Sequence, residues 1–220
     1  MRSQHSLRAR TRWIGVATLL LVVATAAACS SDAAKGAKKP STTTTPEGKV
    51  AFTVQHANID SPGAEIPFAD EIKAQLEAAL NTWANAAVLT PLRTGKVGEV
   101  GSLFGAATAA KVAAGGADRP VFFETDLRAV KPVTVKVANA DLTGLADKNG
   151  AVQLVNAQVA LGLQTATKDG PVTINRIGNI VFVNGGTGWQ VGYYDLAVAR
   201  AGKGLGTAPT TSSAATTKGA

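Results

Sequence analysis

Asn149–Val198 reads NGAVQLVNAQVALGLQTATKDGPVTINRIGNIVFVNGGTGWQVGYYDLAV, and its punctuation decides the fold. Asn149-Gly150 is a tight-turn signal, because both central positions of a two-residue hairpin turn need a positive φ. A long strand is predicted from Ala151 to Ala166, and its apolar alternation slips by one residue at Leu154-Val155, which predicts a bulge. Lys168-Asp169-Gly170-Pro171 turns the chain into a strand over Val172–Val183. Asn184-Gly185-Gly186-Thr187-Gly188 turns it again into Trp189–Val198. Upstream, Val133, Val135 and Val137 alternate with polar or small residues and add a strand before the first turn. Three hairpins in succession predict a four-stranded (or larger) antiparallel meander.

The preceding segment reads as helix. Asp70 and Glu71 place acid at the positive end of a helix dipole. Ile72, Leu76, Ala79, Leu80, Trp83 and Ala87 then recur at spacings of three and four, one apolar stripe. Pro91 is expected to end this helix, since the residue before a proline resists the helical region. A second helix is predicted from about Val97 to Ala113, with Val100, Leu103, Phe104 and Ala107 inward, stopped by Gly115-Gly116. Helices first and a meander second give an α+β fold, with the helices packed in the concave face of the sheet.

Outside this region the chain changes character. Arg2, Arg8, Arg10 and Arg12 precede an apolar run, Ile14 to Ala28, that is short for a membrane span and has the order of an export signal. It ends in Thr25-Ala26-Ala27-Ala28-Cys29-Ser30-Ser31, and Cys29 is the only cysteine. This stretch resembles the lipobox of bacterial lipoproteins, departing from it at Ala26, where Leu is more usual. The resemblance implies cleavage between Ala28 and Cys29 and a diacylglycerol thioether on Cys29, with the new amine often acylated. It would anchor the protein on the extracytoplasmic side of the cell membrane, where part of it would be shed. The alternative is an ordinary signal peptide with a stray thiol. The organisation expected is a signal at 1–28, a Ser/Thr/Lys/Pro tether at 29–50, one domain at 51–201 and a Gly/Thr/Ser/Ala tail at 202–220.

The formal charge of +7 belongs to the flanks. The signal, tether and tail hold the surplus of Lys and Arg, and residues 50–200 are left at −1. Nucleic-acid binding needs cations clustered on a structured face, so it is excluded as a function class. Lys35, Lys38 and Lys39 would lie close to the lipid anchor, where they attract anionic headgroups or solvate the tether.

Gly170-Pro171-Val172-Thr173, Ile180 to Gly186 and Gly188-Trp189-Gln190-Val191 resemble small exported actinobacterial proteins with an NTF2-like, cystatin-like cone, the low-molecular-weight secreted antigen group among them. Leu89 to Gly95 after the long helix is similar to lipoproteins of that set. The resemblance covers about residues 68–200. It implies a cone-shaped domain and permits a homodimer through the outer sheet face, and it transfers no activity.

Catalytic chemistry is poorly supplied. After signal removal His56 is the only histidine, and with Cys29 acylated no His/Cys metal set or Cys-His pair remains; no cofactor is expected. No nucleophile-elbow or phosphate-loop pattern follows a strand. An isomerase or dehydratase of this fold would need a carboxylate base and a tyrosine donor, parts for which Asp195 and Tyr193 qualify because alternation puts them on one face of the last strand with Trp189, Val191 and Ala197. A binding domain is the stronger expectation, with Trp83, Phe104, Phe123, Trp189 and Tyr193, and Asp195 beside them, lining a cavity for a small apolar ligand or lipid. The competing expectations are that these aromatics fill the core, or that the domain is an interaction or dimerisation module of an envelope complex.

Overall fold

The computed structural model describes residues 48–61, 64–186, 188–203, 205 and 211–212. Ala28, Cys29, the signal, most of the tether and most of the tail lie outside the described residues. The strands are β1 (Thr53–Ser61), β2 (Ala64–Pro67), β3 (Thr134–Ala146), β4 (Val152–Thr167), β5 (Gly170–Asn184), β6 (Trp189–Gly202) and a two-residue β7 (Thr211–Ser212). They form one sheet in the order β2-β1-β3-β4-β5-β6-β7. From β3 to β6 each strand pairs antiparallel with the next. The sheet is mixed rather than purely antiparallel, because β1 runs parallel to β3. The fold is α+β.

β1 precedes the helices, where sequence reading placed no strand. Its residues lack clean alternation, and His56 in it is an exposed side chain paired with Asp141 of β3 at 2.9 Å. The domain also begins earlier than its apolar pattern. Val50, assigned to the tether by composition, is 2% exposed. Asn85 Oδ1 accepts from the Val50 N–H and Asn85 Nδ2 donates to the Val50 carbonyl, each at 2.7 Å. One amide side chain thus satisfies both backbone groups of a buried residue.

α1 (Asp70–Thr82) buries Leu76 and Leu80, as its stripe requires. It does not stop at Pro91. The helix loosens into a π-helical segment (Trp83–Leu89) and continues as α2 (Thr90–Thr94), with Pro91 in the first turn of α2. In the π segment Thr90 N–H reaches back five residues to the Asn85 carbonyl. Pro91 has no N–H to give. The Ala86 and Ala87 carbonyls accept instead from Gly98 N–H at 2.8 Å and Glu124 N–H at 3.0 Å. The missing proline donor and the return from five-residue to four-residue spacing together leave two docking points on a buried helix. Gly95, at φ 72°, ends α2 in the left-handed region that glycine tolerates.

The second helix is shorter than its sequence suggests. α3 covers only Ala106–Val112, and Val97–Gly105 is extended or turned, with Gly101 at φ 52°. Leu103 still points inward and Phe104 is half-buried, but Ala107 is exposed and Thr108 takes the inner position. α4 is a single turn, Arg119–Phe122.

The helices cover one face of the sheet. Its inner row includes Leu142, Val155, Val159, Leu161, Leu163, Ile174, Ile180, Phe182, Tyr194 and Leu196, each at most 4% exposed. Burying such side chains is worth about 1.5–3 kcal/mol each. The outer row carries exposed Val137, Leu145, Ile177 and Tyr193.

Bulges decide which residues face inward. On β4 the register slips opposite Leu145/Ala146, which face Leu154 and Val152, so Gln153 is the extra residue. This is the bulge that the Leu154-Val155 slip announced. A second slip, between Val135 and Val137, makes Val133 and Val135 half-buried, turns Ala138 and Ala140 inward and leaves Val137 40% exposed. A third lies on β6, where Val181 faces Tyr193 and Phe182 faces Val191, leaving Gly192 unpaired. Trp189 and Val191 face in before that bulge, and Tyr194, Leu196 and Val198 face in after it. Tyr193 and Asp195 are consequently exposed, and they do not share a face with Trp189.

Candidate functional site

Three hydrogen-bonded hooks, two between backbone groups and one from a side chain, frame a cavity beside α4. Gly98 is held by the Ala86 carbonyl. Val191 of β6 accepts from Gly105 N–H at 3.1 Å and donates to the Leu103 carbonyl at 2.7 Å, which fixes Phe104 between them. α4 is seated by Trp83 Nε1, which donates to the Phe122 carbonyl at 3.2 Å. Between these hooks lies a cavity of about 270 Å³, walled by Val97, Val100, Gly101, Phe104, Ala109, Val112, Ala113, Arg119 and Phe123. It sits just under the usual range for small-molecule pockets. Its walls are apolar apart from one cation. Arg119 is half-buried, its Cζ is 4.7 Å from the centre of the Phe123 ring, and its Nη1 donates to the Val112 carbonyl at 3.1 Å.

Behind the cavity the aromatics form a continuous chain. Phe104 meets Phe123 at 5.9 Å and Phe122 edge-on at 5.1 Å. Phe122 in turn meets Trp83 at 6.1 Å and Tyr194 at 4.7 Å, both edge-on. Trp83 also stacks on Phe52 at 6.1 Å. Phe104 and Phe123, both named from sequence, line the cavity together. Trp83 does not line it. At 1% exposed it is core, filled in on one side by Phe52 and on the other by Phe122. Trp189 is 8% exposed at the start of β6 and is likewise not among the lining residues. Tyr193 borders a different cavity, of about 260 Å³, walled by Gly105, Ala106, Thr108, Gln190, Gly192 and neighbours. Asp195 borders neither of these cavities.

The tyrosine–carboxylate pair sought on Tyr193 and Asp195 exists elsewhere. The Tyr194 hydroxyl donates to Asp118 Oδ2. Burial, reinforced by that hydrogen bond and the Asp118 charge, raises the Tyr194 pKa above its ordinary value, so the hydroxyl stays protonated. Neither residue borders the Phe104–Phe123 cavity, so this pair joins α4 to β6 and does not face a ligand there.

The opposite side of the same segment is charged. Glu124, fully buried, follows Phe123 directly and lies between Arg176 of β5 and Arg200 of β6. Arg176 is also fully buried; its Nη2 donates to Glu124 Oε2 at 2.9 Å and its Nε to the Val121 carbonyl at 3.0 Å. Arg200 Nε donates to Glu124 Oε2 at 3.3 Å, its Nη2 stands 2.7 Å from Glu124 Oε1 without hydrogen-bond alignment, and its Nη1 reaches Asp126 at 3.4 Å. Burial pulls the Arg176 pKa down from its ordinary value and Glu124 opposes that. Arg176 Nη1 is left as a buried donor without a partner. Sequence reading missed this cluster. Its signal was Arg176 at an inward position of β5, between Ile174 and Ile180.

No known protein family, curated protein or solved structure matches this chain. Function therefore rests on the site itself. Among the described residues no group of three or more His, Cys, Asp or Glu is placed to hold a metal ion. No helix among them is long and apolar enough to cross a membrane.

Proposed function

We propose that this is a cell-envelope lipoprotein whose domain binds a small apolar ligand, without catalysis, in the cavity walled by Phe104 and Phe123. The observation that carries the binding reading is that cavity: about 270 Å³, apolar on nearly every side and held open by hydrogen-bonded segments. Attachment through a diacylglycerol on Cys29 rests on the lipobox-like order of residues 25–31. The finer fold reading is an NTF2-like cone. Its support is the run of antiparallel pairs from β3 to β6 with helices on the inner face.

A second reading, an interaction or homodimerisation module, is favoured by one observation. The outer face of the sheet exposes Ile177 at 56% and Tyr193 at 63%, with Val137 and Leu145 further along.

Native mass spectrometry of the full chain extracted from its host membrane tests both. Binding predicts a co-purified small apolar molecule on a monomer; a bare dimer supports the interaction module, and a bare monomer opposes both. For the anchor, Cys29→Ser is expected to abolish the lipid mass and membrane retention. Retention unchanged in that variant would overturn the lipoprotein assignment.

A further inference from the structure

We infer that the ligand of this cavity carries a single acidic head, a carboxylate on a short apolar chain, and that Arg119 reads it. This rests on the apolar-ligand reading of the same cavity. Arg119 is the one charged residue among its lining side chains. Arg119 is half-buried, so its guanidinium keeps part of its hydration, and an anion entering the apolar wall beside it would replace the part it has lost. Its contacts use little of its capacity: one N–H goes to the Val112 carbonyl and the face lies over Phe123. Arg119 forms no ion pair among the described residues.

The neighbouring carboxylates are committed elsewhere. Asp118 accepts from Tyr194, and Glu124 lies between Arg176 and Arg200 on the other side of the segment. The five donors of a guanidinium form a planar fork that matches the two oxygens of a carboxylate. Stacking on Phe123 holds that fork in one orientation. One cation matches one negative charge, so a dianion would leave charge uncompensated against Phe104, Val112 and Phe123. The volume limits the tail to a short chain.

The test is calorimetric titration of the full chain in phosphatidylcholine nanodiscs, with empty discs subtracted, using octanoate and 1-octanol. Octanoate is expected to bind at least about tenfold tighter than octanol, the worth of a charge-assisted hydrogen bond. Arg119→Gln should remove the preference, so that octanoate binds no tighter than octanol in that variant, whereas Arg119→Lys should retain part of the preference. Ala109→Trp, which fills the cavity, should abolish both. Equal binding of octanoate and octanol by the wild type would overturn the acidic-head inference and leave the apolar cavity standing. So would an Arg119→Gln variant with the preference intact. Failure of both ligands to bind the wild type, or binding unaffected by Ala109→Trp, would overturn the cavity reading and this inference with it.

Discussion

The short stretch from Arg119 to Asp126 has two unlike sides. Toward α3 it offers Arg119 and Phe123 to a cavity that the protein leaves unfilled. Toward the sheet it drives Glu124 between two arginines, with no exposure on Glu124 or Arg176 and very little on Arg200. The charged side is costly to desolvate, and the Glu124 bond to Arg176, with the Val121 carbonyl accepting from Arg176 Nε, ties the stretch to β5. The apolar side is packed through the Phe104–Phe123 and Phe104–Phe122 ring contacts, and the charged side adds a second hold on the same stretch.

The largest expected effect comes from breaking the charged side. Glu124→Ala strands Arg176 in the interior and leaves Arg200 with Asp126 alone, and it should lower the unfolding free energy by about 3–5 kcal/mol, read by chemical denaturation. Combining it with Arg176→Met should recover part of that loss, since the stranded charge is then gone. A Glu124→Ala protein as stable as wild type would show that the cluster holds nothing.

Tyr194→Phe is the intermediate case. Losing the hydroxyl leaves Asp118 without its donor and should cost about 1–2 kcal/mol at neutral pH. The sign of the pH effect follows from the raised pKa of Tyr194. The stabilisation is complete below the unfolded tyrosine value of about 10 and is lost as pH rises beyond it. Wild type should therefore lose stability more steeply above about pH 10 than Tyr194→Phe; parallel curves would contradict the assignment.

On the apolar side the stability effects should be small. Arg119→Gln removes a half-exposed cation–π contact and one hydrogen bond, about 0.5–1 kcal/mol in thermal unfolding. Smaller still, Tyr193→Ser and Asp195→Asn on the outer face should shift stability by less than about 0.5 kcal/mol. A loss of ligand binding in either would return the site to the residues first named from sequence.

Those two residues also show where the sequence stops being readable. Turn chemistry is local, so Lys168-Asp169 falls at a hairpin end as expected, and Asn149-Gly150 falls in the β3–β4 connection, which is five residues long and turns one residue earlier, with Gly150 N–H on the Asp147 carbonyl. Alternation is read along a strand, and one unpaired residue inverts everything after it. Gly192 does this on β6, exchanging Tyr193 for Tyr194 as the inward tyrosine. A glycine inside a strand was the available warning. Gly178 marks a similar close approach on β5, where a Cβ would run into the Asp195 carbonyl.

Pro91 misled for a different reason. Proline ends a helix when its missing bond cannot be replaced, and here the π segment passes the freed Ala86 and Ala87 carbonyls to Gly98 and Glu124. That replacement depends on tertiary contacts. Phe104 and Phe123 were legible as aromatics between elements, yet their meeting depends on the Leu103–Gly105 hook to Val191. Glu124 was not legible, because an acid after Val121-Phe122-Phe123 looks like the surface end of an apolar run.

Hydrogen exchange of the full chain in nanodiscs, with and without octanoate, tests the central claim most directly. The account predicts slowed exchange in Val97–Phe104, α3 and Arg119–Phe123, with the outer residues around Ile177 and Tyr193 unchanged. Protection centred on that outer face, or none in the cavity segments at saturating octanoate, would contradict it.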